Sequence, residues 1–233
     1  MRHGMTESPL NPLPTIVWLL ILPIVALEAI FALGAAGMIG GAEGAGLRLS
    51  AIRMAAFPPE LAQRAWTYGV IDWDQAYRIL SYVFVHVGIT HALFVVIFTL
   101  ALGNMVAQNF RPWAVLVIYF GSAIGGALVY AAAVQRVGAR GALLIGGYPA
   151  VYGLVGAFTF LTWTRLAAQN ENRLRAFTLI GALLAFQLIF GLGFGDLGLG
   201  WIAELAGFVC GFGLSFLVVD GGINRALAHM RQR

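Results

Sequence analysis

Apolar residues run in long blocks along this chain, and the polar ones gather in the intervals between them. Within a block the apolar residues cover every side of a helix rather than one stripe, the pattern of a helix in an apolar surrounding. A bilayer span takes about 20 such residues. Six blocks qualify, at 15–38, 79–106, 113–134, 149–168, 175–194 and 198–219. The join at 39–78 is long and holds four acids and three arginines ahead of Arg78. The joins near 107–112, 169–174 and 195–198 are short, and the one at 135–148 is polar and glycine-rich. No linker divides the chain. The expected organisation is an N-terminal segment 1–14, one six-span membrane domain 15–219 and a tail 220–233. The fold class is all-α: a bundle of six transmembrane helices with a long first loop. In that loop, residues 59–78 carry Trp66, Tyr68, Trp73 and Tyr77 among charges, which suits a segment lying partly at the lipid headgroups.

Composition supports the same reading. The chain is 60% hydrophobic and 10% charged, with a mean hydropathy of +0.85, so a soluble domain of 233 residues could not hide its apolar surface. Residues 1–14 show no cleavage-site pattern, and the next apolar block is too long for a signal-peptide core, so a retained first span is expected. The formal charge of +4 is scattered over loops, which leaves nucleic-acid binding without support. Cys210 is the single cysteine, placed inside an apolar block as a small core residue.

Every basic residue is arginine, and their distribution orients the chain. With both termini cytoplasmic, Arg2, Arg111, Arg165, Arg173, Arg175, Arg225, Arg231 and Arg233 fall inside, against Arg48, Arg53, Arg64, Arg78, Arg136 and Arg140 outside. The expected location is an integral, multi-pass position in a bacterial-type inner membrane. Two spans carry small-xxx-small patterns, Gly121 to Gly125 and Gly207 to Gly211, which let helix backbones approach closely in lipid. Glu28 lies midway along the first span and is expected to be neutral or hydrogen-bonded within the bundle.

Four segments in order carry a resemblance: YRILSYVFVHVGITH (77–91) with ALG (101–103), GSAIGGALVY (121–130), GGYPAVYGLVGAF (146–158) and WIAELAGFVCG (201–211). In order and spacing they resemble the rhomboid family of intramembrane serine proteases, from about Tyr77 to Phe216. The resemblance implies a helical bundle with a water-filled cavity open to the non-cytoplasmic face. It implies a Gly-x-Ser-Gly nucleophile at the start of the fourth span and a His base from Ala-His-x-x-Gly on the sixth. A His and an Asn on the second span hold the oxyanion. In this chain the nucleophile position is Tyr148 and the glycine after it is Pro149, with Tyr152 matching the aromatic four residues on. The base position is Glu204, followed by the matching Gly207. His91 keeps the oxyanion histidine, Val95 stands at the oxyanion Asn, and Arg78 and His86 are kept. The family's Glu after the second-span glycine has no counterpart, because Asn104 follows Gly103.

Serine-type chemistry needs a hydroxyl and a base within hydrogen-bond reach. A phenol has a pKa near 10, and its aryl ester is a labile acyl carrier. Pro149 offers no N–H, and Val95 cannot donate. Ser81, Ser122 and Ser215 do not recreate a dyad. The resemblance therefore points to a catalytically degenerate member, a pseudoprotease with no expected catalytic residue. Inactive relatives, including the derlins and the inactive rhomboids of animals, act in trafficking and quality control of membrane proteins. By resemblance, the expected partners are the bilayer and transmembrane helices of other membrane proteins, bound as a chaperone, assembly factor or accessory subunit. An active endopeptidase with a non-standard site is the alternative. A transporter or channel is a weaker class, with no inverted repeat visible. His91, Tyr148 and Glu204 are expected to converge, with the Tyr148 phenol donating to Glu204 or His91. A zinc set of His86, His91 and Glu204 is the sharper alternative; no metal or cofactor is expected. Client and oligomeric state are not specified by the sequence.

Overall fold

The computed structural model describes residues 13–139, 141–194 and 198–219. The expected tail 220–233, nearly all of the segment 1–14, most of the join at 195–198, and Arg2, Arg140, Arg225, Arg231 and Arg233 lie outside these described residues. Helix α1 (Thr15–Ala35) is followed by three short helices, α2 (Leu47–Ala55), α3 (Glu60–Tyr68) and α4 (Arg78–Ser81). Five longer helices come next: α5 (Ile89–Ala107), α6 (Pro112–Val137), α7 (Tyr148–Ala168), α8 (Thr178–Phe194) and α9 (Gly200–Val218). Extended pairing among the described residues is confined to a single bridge between Phe57 and Leu144. The architecture is the expected all-α membrane bundle.

By length and apolarity alone, α1, α5, α6 and α9 qualify as membrane spans. Helix α7 has the length, at 21 residues, but its face is spent on protein: everything from Pro149 to Ala157 is buried. Glycine, threonine and tyrosine replace the lipid-facing leucines it does not need. Helix α8 is 17 residues long.

Helices α6, α7 and α9 form the tightest part of the bundle. Gly207 lies against the Pro149 backbone and Gly211 against the Gly153 backbone, so that any Cβ at either position would overlap main-chain atoms. Gly126 faces the Ala203 carbonyl, which an added Cβ would meet at 2.7 Å. Gly125 faces the Cys210 thiol and Gly121 faces Leu214. With lipid as apolar as leucine, such close approach is what holds helices together.

The first loop is held differently. Helix α2 has no buried residue. Its last carbonyls, which a helix leaves without internal partners, are taken by side chains of 77–81. Arg78 donates through Nε to Ala56 O (2.7 Å) and through Nη2 to Arg53 O (3.0 Å), Tyr77 Oη donates to Met54 O (3.0 Å), and Ser81 Oγ donates to Ala55 O (2.9 Å). Helix α3 is tied to α6 by Gln63 Nε2 to Ala131 O (3.0 Å) and Trp66 Nε1 to Gln135 Oε1 (2.9 Å).

The second expected span, 79–106, is not one helix. After α4 and a single 3-10 turn at Tyr82–Phe84, the chain runs extended at Val85 and Gly88, and the helix starts at Ile89. The apolar run YVFV concealed the break. The freed backbone is re-satisfied from elsewhere: Gly146 N donates to Tyr82 O (2.9 Å) and Arg48 Nη1 to His86 O (3.0 Å).

Candidate functional site

The interrupted segment at 82–91 brings two histidines beneath the start of α7. Gly146 has φ +98°, a backbone that side-chain-bearing residues rarely adopt, and the His91 ring lies over it. Gly147 precedes the helix and donates its N–H to His86 Nε2 (3.3 Å). An accepting Nε2 places the His86 proton on Nδ1. His86 itself is fully buried. Val95 is fully buried too, and its Cγ1 would stand 2.7 Å from a Cβ at Gly147. An apolar side chain thus packs under the helix start.

Tyr148 opens α7. Its ring stacks on His91 at 4.7 Å between centroids and 20° between planes, and His91 meets His86 edge-on at 5.0 Å. Pro149 sits in the first turn, where a missing N–H leaves no intrahelical bond unmade. Its backbone is the surface on which Gly207 rests. Glu204, on α9, is 8% exposed and accepts a hydrogen bond from Gln187 Nε2 of α8 at 2.6 Å. Tyr148 and Tyr152 both lie within electrostatic reach of its carboxylate.

The structure therefore brings His86, His91, Val95, Tyr148, Pro149, Tyr152, Glu204 and Gly207 into one neighbourhood, while Arg78 lies apart, gripping α2. Two expectations fail in detail. The Tyr148 phenol does not donate to Glu204 or His91: its ring stacks on His91, and Gln187 and Tyr152 are the groups bonded to the carboxylate. The set His86, His91 and Glu204 does not assemble as metal ligands either. Among the described residues no three histidine, cysteine, aspartate or glutamate side chains come together in that way. Of the other hydroxyls, Ser81 donates to Ala55 O, Ser215 donates to Gly211 O (2.7 Å), and Ser122 lies buried against Gly153. None of them meets a base among the described residues.

Gln187 Oε1 and His91 Nε2 are buried with no hydrogen-bond partner among the described residues. The Glu204 carboxylate is held by the Gln187 amide and by the Tyr152 side chain.

Two features escaped the sequence reading. Gln187 is the only amide in the apolar block 175–194, and an isolated polar residue in a span is the signal that marks it. The second is an ion pair. Glu28, expected to be neutral or merely hydrogen-bonded, is gripped by Arg48 of α2 through Nη1 (2.8 Å) and Nη2 (2.7 Å). Arg48 also stands over the Phe31 ring, 4.8 Å from its centroid. Hydrogen bonding to Glu28 pushes the guanidinium pKa further up, against the opposing effect of burial. The same Nη1 reaches the His86 carbonyl, so the first loop is linked to the histidine that supports α7.

Comparison with known proteins adds two findings. The Rhomboid domain family model matches residues 73–221. Rhomboid-like protease 1 of Toxoplasma gondii is 30% identical over 153 residues, covering 64% of this chain and 49% of that protein. The chain spans about half the length of that relative.

Proposed function

The chain belongs to the rhomboid family, and from that premise we propose that it is a membrane pseudoprotease, binding transmembrane helices of other membrane proteins without cleaving them. One observation carries the reading. At the nucleophile and base positions stand a stacked tyrosine and a glutamate bonded to an amide, inside a bundle whose packing is otherwise intact. The substitutions support one another. Pro149 removes the N–H that would follow a nucleophile, Val95 removes a donor and fills the space, and Tyr148 covers the retained His91. Loss of one oxyanion donor alone costs on the order of 10²–10³ in rate in a studied protease. Both termini are assigned to the cytoplasm on the arginine distribution, and the membrane to a bacterial-type inner membrane on the six-span layout. Its role is then that of a chaperone, assembly factor or accessory subunit.

The relative's name favours the other reading, an active endopeptidase with a non-standard site. One experiment separates them. The purified protein is reconstituted in vesicles with a fluorescently labelled single-span helix and followed for binding and for product. Binding without product, together with no labelling by a fluorophosphonate, is the expected result. A product that vanishes in Tyr148→Phe overturns the pseudoprotease reading.

A further inference from the structure

The last turns of α7 and α9 meet through aromatic rings. Trp163 of α7 lies 6.3 Å from Phe212 and 6.0 Å from Phe216 of α9, centroid to centroid, both at steep angles. Beyond α7 a short 3-10 stretch, Arg173–Phe177, brings the Arg173 guanidinium over the same Trp163 ring, 5.2 Å from its centroid. A guanidinium seated on a ring is held through its face, which leaves the N–H donors in its plane open to an acceptor. None is supplied from within. Among the described residues Arg173 makes no ion pair, and Glu171, the acid nearest in sequence, is bonded to Arg175 instead.

Beside this cation α9 presents an open apolar face. Val209, Gly213 and Phe216 follow at intervals of four and three, which puts them on one side of the helix. Val209 and Phe216 are 60% and 42% exposed, and nothing lies within 4 Å of where a Cβ would stand at Gly213. Gly213 is thus a notch between two projecting side chains, and Phe216 joins it to the Trp163 ring. Val209 stands about 14 Å from the end of α9 at 1.5 Å per residue. One leaflet's hydrocarbon is about 15 Å deep. We propose that this end of the bundle binds one anionic phospholipid, its phosphate on Arg173 and an acyl chain along Phe216, Gly213 and Val209. Charge selects the class, because a guanidinium offers paired N–H donors to a phosphate, whereas a zwitterionic headgroup brings a cation of its own. The notch selects a lipid over a free phosphate, which would make no use of it. Tyr148 and Glu204 belong to the opposite ends of α7 and α9, so the proposal stands apart from the pseudoprotease reading.

The full chain, purified in an uncharged detergent, is mixed with equal amounts of dioleoylphosphatidylglycerol and dioleoylphosphatidylcholine. The lipid retained is read by native mass spectrometry. One phosphatidylglycerol is expected to be retained about fivefold over phosphatidylcholine, the effect of one basic residue beside an anionic headgroup. Arg173 is exposed, so Arg173→Gln leaves the core alone, and it is expected to bring the ratio to about one. Gly213→Leu fills the notch and is expected to lower retention of both lipids. Arg165→Gln is the control: Arg165 is exposed near the end of α7 but two positions from Trp163, on another side of the helix, and the ratio is expected to hold. A ratio near one in the unaltered chain overturns the proposal. Equal losses in Arg165→Gln and Arg173→Gln also overturn it, since diffuse charge and not a site would then set the preference. Displacement of the lipid by millimolar inorganic phosphate overturns the choice of a lipid as the ligand.

Discussion

The α6–α7–α9 seam and the first loop solve opposite problems. In the seam, apolar surfaces meet in lipid, where there is no hydrophobic gain from leaving the solvent. Contact must come from shape, so backbone lies on backbone at Gly207 and Gly211. In the loop, α2 has no buried residue and α3 buries only Ala62. Position there comes from directed bonds, most of them from side chains to carbonyls and several made by two residues, Arg48 and Arg78. The seam is a matter of volume, and the loop a matter of a few donors. The candidate site lies between them: Pro149 and Glu204 belong to the seam, while His86 is held from the loop.

The largest break in that contrast is expected from Gly211→Leu. Its side chain would be driven into the Gly153 backbone, and main chain cannot rotate out of the way. Overpacking in interiors costs about 1–3 kcal/mol, and more where nothing yields; at least about 3 kcal/mol is expected here. Gly213→Leu is the control. It sits on the same helix with nothing within 4 Å of its Cβ and is expected to be near neutral. Thermal unfolding in detergent measures both. Equal losses would mean that helix propensity, not the seam, sets the cost.

Next in size is the ion pair of the loop. Arg48→Met leaves Glu28, its side chain 12% exposed, without a counter-charge and strips a donor from the His86 carbonyl. Breaking a fully buried pair costs 3–5 kcal/mol; with Arg48 at 25% exposure, about 2 kcal/mol is expected. The double change Arg48→Met with Glu28→Leu is expected to recover most of it, since the stranded charge goes as well. If the double variant is no better than the single one, the missing bond to His86, rather than the lone carboxylate, is what matters.

These two regions were not equally legible in the sequence. Seam glycines announce themselves by spacing, and Gly121, Gly125, Gly207 and Gly211 all lie at helix contacts. Span positions follow from apolar blocks, because in lipid every residue of a helix reports its surroundings. The loop's bonds join residues 20 to 69 positions apart, and nothing local in Glu28 points to Arg48. The break before α5 was hidden for a related reason. Where the chain leaves the helix at Val85 and Gly88, distant donors, Gly146 N and Arg48 Nη1, bond the nearby carbonyls of Tyr82 and His86. At the site, motif register located Tyr148 and Glu204, but not what they touch. The Tyr148 ring stacks on His91, while the groups bonded to Glu204 are Gln187 of α8 and Tyr152.

The smallest effect sharpens the contrast most finely. Trp66 holds α3 to the end of α6 through one N–H, to Gln135 Oε1 at 2.9 Å, and the residue is 46% exposed. Trp66→Phe keeps most of the ring contact and deletes that donor. Water replaces it at both ends, so a loss of about 0.5 kcal/mol or less is expected. Gln135→Ala should cost the same amount, and the two together no more than either, because they remove one bond. If Trp66→Phe instead costs as much as the loss of Arg48, the ring itself anchors α3, and the loop is held by volume after all, as the seam is. A small, non-additive pair of effects would mean that directed bonds position the loop helices, each weak alone and replaceable by water, with Arg48 set apart because its partner is a charge inside a span.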